Sequence, residues 1–131
     1  MFEPESVWEL SGPGRTVFGD GAVTELGAHL PPAERTLLVA DPALRGTGVV
    51  ETVETELPGV ETFEEVEPDP PLATFEAALT RARDLEPDAV VGVGGGSTLD
   101  VAKVAGALAP HDGGVLEYVA EPTGAGRVVP G

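Results

Sequence analysis

The apolar positions of the chain fall into two kinds of run. Thr36-Leu37-Leu38-Val39-Ala40 and Ala89-Val90-Val91-Gly92-Val93 are continuous, the pattern of strands buried on both faces of a sheet. Between them, apolar residues recur at helical spacing. Over Leu72–Leu85, Leu72, Phe75, Ala78, Leu79 and Ala82 share one face of an amphipathic helix. A helix over residues 49–57 turns Val49, Val50, Val53 and Leu57 inward and its glutamates outward, and Pro58-Gly59 stops it. Residues 22–30 read as a short helix with Val23, Leu26 and Leu30 on one side, ended by Pro31-Pro32. Residues 16–18 and 60–66 read as strands, residues 97–109 as a helix, and residues 115–119 as a short helical turn. The order is four times strand then helix. That alternation predicts an α/β domain, a Rossmann-like, largely parallel sheet with helices on both faces. Residues 1–131 form one domain in this reading, with no repeat, no linker and no second domain.

Charge changes the picture more than size does. The 23 acidic residues outnumber 7 basic ones, for a formal net charge of −16. The acids run from Glu3 to Glu121 rather than forming a tail, and Lys103 is the single lysine. Self-repulsion on such a surface is relieved by salt, so the composition reads as halophilic. Nucleic acid and anionic membrane are excluded as partners by repulsion. The sequence has no cysteine, which removes disulfides, thiolate metal sites and thiol catalysis. It has no apolar run of membrane-spanning length, and Met1 to Glu5 lack a signal pattern. A cytoplasmic location is expected.

The segment richest in chemistry follows the second buried run. Gly94-Gly95-Gly96 turns the chain, and Ser97-Thr98-Leu99-Asp100 opens a helix. Glycines let a ligand approach the backbone, and a helix N-terminus offers unpaired N–H groups and a positive dipole end to phosphate. The plainer reading is a capped turn, with Ser97 as N-cap, Asp100 three residues on, and Lys103 pairing with Asp100. The two readings can coexist, but three glycines exceed what capping requires. The spacing is not that of the common dinucleotide fingerprint, because Ser97 stands where its third glycine belongs. An acid at a strand end does exist upstream, at Asp41.

Four segments together resemble the iron-containing (group III) alcohol dehydrogenase family. They are Val17-Phe18-Gly19-Asp20-Gly21 with Leu26-Gly27, Leu38-Val39-Ala40-Asp41 with Gly48-Val49-Val50, Val66-Glu67-Pro68-Asp69-Pro70, and Gly94-Gly95-Gly96-Ser97-x-x-Asp100-x-Ala102-Lys103. The last is the most specific. The resemblance covers nearly the whole chain and implies the N-terminal nucleotide-binding domain of such an enzyme. It implies a nicotinamide cofactor, NAD with NADP possible, whose pyrophosphate rests on Gly94, Gly95, Gly96, Ser97, Thr98 and the turn leading to Asp100. Asp41 would meet the adenosine ribose and favour NAD, since a carboxylate repels a 2′-phosphate. Asp69 would line the adenine side. As plain turn acids, Asp41 and Asp69 would instead serve the bends before Pro42 and Pro70.

The resemblance further implies a helical domain that supplies an aspartate and histidines to iron or another divalent metal. That domain is expected to be absent from this chain. His29 and His111 are the only histidines, on unrelated segments, and read as surface residues. No catalytic or metal-binding residue is assigned, and the chain alone is expected to be inactive. The implied activity of the parent is hydride transfer between NAD(P) and an alcohol. Two alternatives stand beside it. One is a stand-alone nucleotide-binding or oligomerising module. The other is a relative acting on glycerol or glycerol phosphate, against which Ser97 and the loop from Glu67 to Pro70 weigh. An exposed apolar domain face predicts a homo-oligomer.

Overall fold

Strand β3, Thr36–Ala40, is the centre of the arrangement, and all five of its residues are buried. In the computed structural model, residues 7–12, 14–19, 26–30, 32–118 and 126 are described. The elements in order are β1 Val7–Gly12, β2 Gly14–Gly19, α1 Leu26–His29, β3, α2 Val49–Glu56, β4 Val60–Phe63, α3 Leu72–Leu85, β5 Ala89–Val93 and α4 Gly96–Leu108. Short 3-10 turns occupy Pro42–Leu44 and Val115–Glu117.

Strands β4, β3 and β5 make a parallel sheet in that spatial order, with Thr36 opposite both Val60 and Ala89. Period-two alternation divides β3 between two cores. Leu37 and Val39 pack with Phe63, Val66, Ala78 and Ala82 and with Val101, Ala102 and Ala105, so α3 and α4 cover one face. Leu38 and Ala40 pack with Val50, Val53 and Leu57, with Leu26 and Leu30 alongside, so α2 and α1 cover the other. This is the expected doubly covered sheet, and β3, α3 and β5 have the expected bounds.

Four details depart from the expectation. The run at residues 16–18 lies in β2, which pairs antiparallel with β1 in a separate two-stranded sheet, Gly12 opposite Gly14. It is therefore not a fourth parallel strand. The strand expected over residues 60–66 stops at Phe63, which pairs with Val39, and the next residue of β3, Ala40, has no residue of β4 opposite it. Val66 is nonetheless buried, as a core residue on a loop. Val49 and Leu72, expected inward, are 43% and 40% exposed. Both sit in the first turn of a helix; Thr74 is buried on α3 instead. Finally, α4 begins at Gly96, one residue early, and ends at Leu108. The expectations for residues 22–25 and 119 fall outside the described residues.

Candidate functional site

The strand order makes a crevice. From the carboxyl end of β3 the chain leaves toward α2 on one face, and from that of β5 toward α4 on the other. Where neighbouring strands send their helices to opposite faces, a gap is left at the strand ends. A cleft of about 220 Å³ lies there. Gly95, Gly96, Ser97 and Thr98 form one wall, and Asp41 with Val66, Glu67 and Pro68 forms the other. That volume suits part of a dinucleotide, such as a pyrophosphate or a ribose, since drug-sized ligands fill roughly 300–1,000 Å³.

The first wall is the N-terminus of α4. Gly95 is its N-cap, the Leu99 N–H donates to the Gly95 carbonyl at 3.0 Å, and no side chain caps the helix. The expected cap by Ser97 is thus not formed. Gly95 takes the extended conformation of a cap, which places Ser97 inside the first turn. Asp100 is exposed, does not line the cleft, and makes no ion pair with Lys103. The first-turn N–H groups have no acceptor within the helix, and they carry the positive end of its dipole.

The three glycines have different reasons to be glycine. At Gly94, φ is 154° and a Cβ would lie 2.8 Å from the Thr98 side chain and 3.0 Å from that of Asp41. The fold itself demands glycine there. At Gly95 and Gly96, φ is not left-handed and a Cβ would meet nothing within 4 Å. The space it would fill is the cleft. Packing and backbone strain leave these two positions free, and what they keep open is room against an uncapped helix end.

The second wall carries acceptors. Asp41 follows β3, its own N–H donates to Val93 at 3.0 Å, and its Oδ1 accepts the Ala43 N–H at 2.9 Å. It is both the turn residue ahead of Pro42 and a lining residue of the cleft. Asp69 is exposed with φ 48°, a turn conformation, and does not line the cleft. The acid of that loop that does is Glu67, which the sequence reading passed over. Val66 before it is a core residue on the loop beyond β4, so no strand alternation in the sequence marks Glu67. The structure thus brings together Asp41, Gly95, Gly96, Ser97 and Thr98, with Gly94 behind them; Asp69 and Asp100 stand outside.

His111 lies at the opposite, amino end of the sheet, in a separate cleft with Arg83, Glu86 and Asp112. Arg83 Nη2 there donates to the His111 and Gly113 carbonyls, at 2.5 and 2.7 Å, holding the chain that leaves α4. Among the described residues no group of three or more His, Asp or Glu side chains is placed to hold a metal ion. Nor, among them, is any helix long and apolar enough to cross a membrane.

This geometry can be set beside known proteins. The sequence profile described as iron-containing alcohol dehydrogenase matches residues 13–130. Long-chain-alcohol dehydrogenase 1 of Geobacillus thermodenitrificans is 40% identical over 120 residues, 87% of this chain and 30% of that protein. The NADPH-dependent aldehyde reductase YqhD of Escherichia coli is 32% identical over 107 residues, 79% of this chain and 28% of that one. The crystal structure of NADH-dependent butanol dehydrogenase A from Thermotoga maritima superposes with a TM-score of 0.69 at 26% identity. It covers 74% of this chain and 26% of the other. The chain therefore spans less than a third of the length of these relatives.

Proposed function

The chain belongs to the iron-containing alcohol dehydrogenase family, and from that premise we propose that it is the domain that holds the nicotinamide dinucleotide. The observation that carries this reading is the emptiness beside Gly95 and Gly96, at an uncapped helix N-terminus inside the switch-point crevice. The N–H groups of Gly96, Ser97 and Thr98 would receive the pyrophosphate. Asp41 would accept the ribose hydroxyls and disfavour a 2′-phosphate, so NAD is preferred over NADP. Relatives of both habits exist: the butanol dehydrogenase is described as NADH-dependent, the aldehyde reductase as NADPH-dependent.

When bound, the nicotinamide would exchange a hydride with an alcohol or its carbonyl product, and a divalent metal elsewhere would polarise the oxygen. The described residues do not fit that metal, so no step is assigned to it. What this domain contributes is binding and orientation of the cofactor.

A thermal-shift series tests the reading by parts. NAD and ADP both present a pyrophosphate and an adenosine, and both should raise Tm in a concentration-dependent way. Nicotinamide mononucleotide, which lacks the adenosine half, should raise it little. Failure of both NAD and ADP to shift Tm would overturn the assignment.

A further inference from the structure

The cleft has two chemically opposite walls, and its acceptor wall holds a second carboxylate besides Asp41. Glu67 follows Val66, which is 5% exposed and locked in the core, and precedes Pro68, whose ring fixes the backbone. From α3, the hydroxyl of Thr74, itself 7% exposed, donates to Glu67 Oε1 at 2.9 Å. A glutamate on a loop samples many rotamers. This one has its carboxylate tied to a buried group on a helix, which removes part of that entropy before any ligand arrives. Among the described residues no donor is bound to the second oxygen.

We propose that Glu67, positioned by Thr74, is a cofactor-selecting residue. Its free oxygen takes a hydrogen bond from a hydroxyl or amino group of the adenosine half, and with Asp41 it turns away a nucleotide carrying a 2′-phosphate. This rests on the dinucleotide reading above. A ligand suited to the cleft is anionic where it meets α4 and rich in donors where it meets Asp41 and Glu67. An adenosine diphosphate moiety has that polarity. An added phosphate on the ribose reverses it at the wrong wall, and two carboxylates repel it more than one does. Thr74 is a positioning residue, acting only through Glu67.

The test is calorimetric binding of NAD and of NADP to the 131-residue chain and to three variants, at one fixed salt concentration. Glu67→Gln keeps the shape of an exposed side chain and removes its charge. It should raise NADP affinity relative to NAD by about tenfold. Thr74→Val should shift the ratio the same way by about threefold, and Thr74→Ser, which keeps the hydroxyl, should restore it. A packing role for Thr74 would lower Tm and leave the ratio alone. NAD binding with an unchanged ratio in Glu67→Gln would overturn this inference and leave the dinucleotide reading standing. Binding of neither nucleotide by the unmodified chain would overturn both.

Discussion

Gly94→Ala should cost about 2 kcal/mol in unfolding free energy, because its Cβ would collide with Thr98 and Asp41. Gly96→Ala should leave stability unchanged or raise it by up to about 1 kcal/mol, since alanine suits a helix better than glycine and meets nothing there. Denaturant unfolding of the pair checks this; equal losses would mean that the turn is one rigid unit. Thr36 offers the opposite case. It is fully buried at the start of β3, and its Oγ1 is the one buried side-chain polar atom without a partner among the described residues. Thr36→Val, nearly isosteric, should stabilise the chain by about 1 kcal/mol. The glycine turn was plain in the sequence, because a strand, three glycines and a helix start are local features. Glu67 was not, because choosing among the acids of its loop requires knowing where β4 ends.

At the scale of elements, the legible parts were those whose surroundings are uniform. β3 and β5 are apolar throughout, and α3 repeats its face over fourteen residues, so periodicity alone bounds them. The first turns of α2 and α3 misled it. Val49 and Leu72 fit the stripe, but both lie in a first helical turn and are exposed. The hairpin of β1 and β2 depends on pairing Val7–Gly12 with Gly14–Gly19, and a lone β-prone run at residues 16–18 does not show its partner.

The connection from β3 to α2 is held by charge. Arg45 Nη1 and Nη2 donate to the two oxygens of Glu54 on α2, at 2.6 and 3.0 Å, and its Nε to Glu64 beyond β4 at 2.6 Å. Glu51 reaches back from the first turn of α2 to the Gly46 and Gly48 N–H groups. The hydrogen bonds from Arg45, and then from Thr62, hold the Glu54 carboxyl at a pKa of about 2, below the ordinary 4.5. At the other end of the sheet, the N–H groups of Glu34 and Arg35 likewise hold Asp88 below its ordinary value. A carboxyl with a depressed folded pKa stabilises above its unfolded pKa, and that contribution is lost as pH falls through the folded value. For Glu54 the loss runs from about pH 4.5 down to about 2. Arg45→Gln should lower stability at neutral pH and flatten the acid limb in that window. An acid limb identical to that of the unmodified chain would show that the pair contributes nothing.

For the whole molecule, the net charge of −16 sets the solution behaviour. Among the described residues Arg45 pairs with Glu51, Glu54 and Glu64, and Arg81 with Glu61. Raising potassium chloride from ~0.1 M to ~2 M should raise Tm by about 5–10 °C through screening. A Tm insensitive to chloride salts of several cations would separate the acidic surface from any role in stability. On that acidic surface the uncapped N-terminus of α4 carries the positive end of a helix dipole.

The most direct measurement is calorimetric titration of NAD into the chain in molar potassium chloride, beside Gly96→Val. A Cβ at position 96 meets no atom within 4 Å. Saturable binding by the unmodified chain, and none by a Gly96→Val variant of unchanged Tm, is the expected result. Equal binding by both would contradict it, since the dinucleotide would then lie somewhere other than the glycine turn.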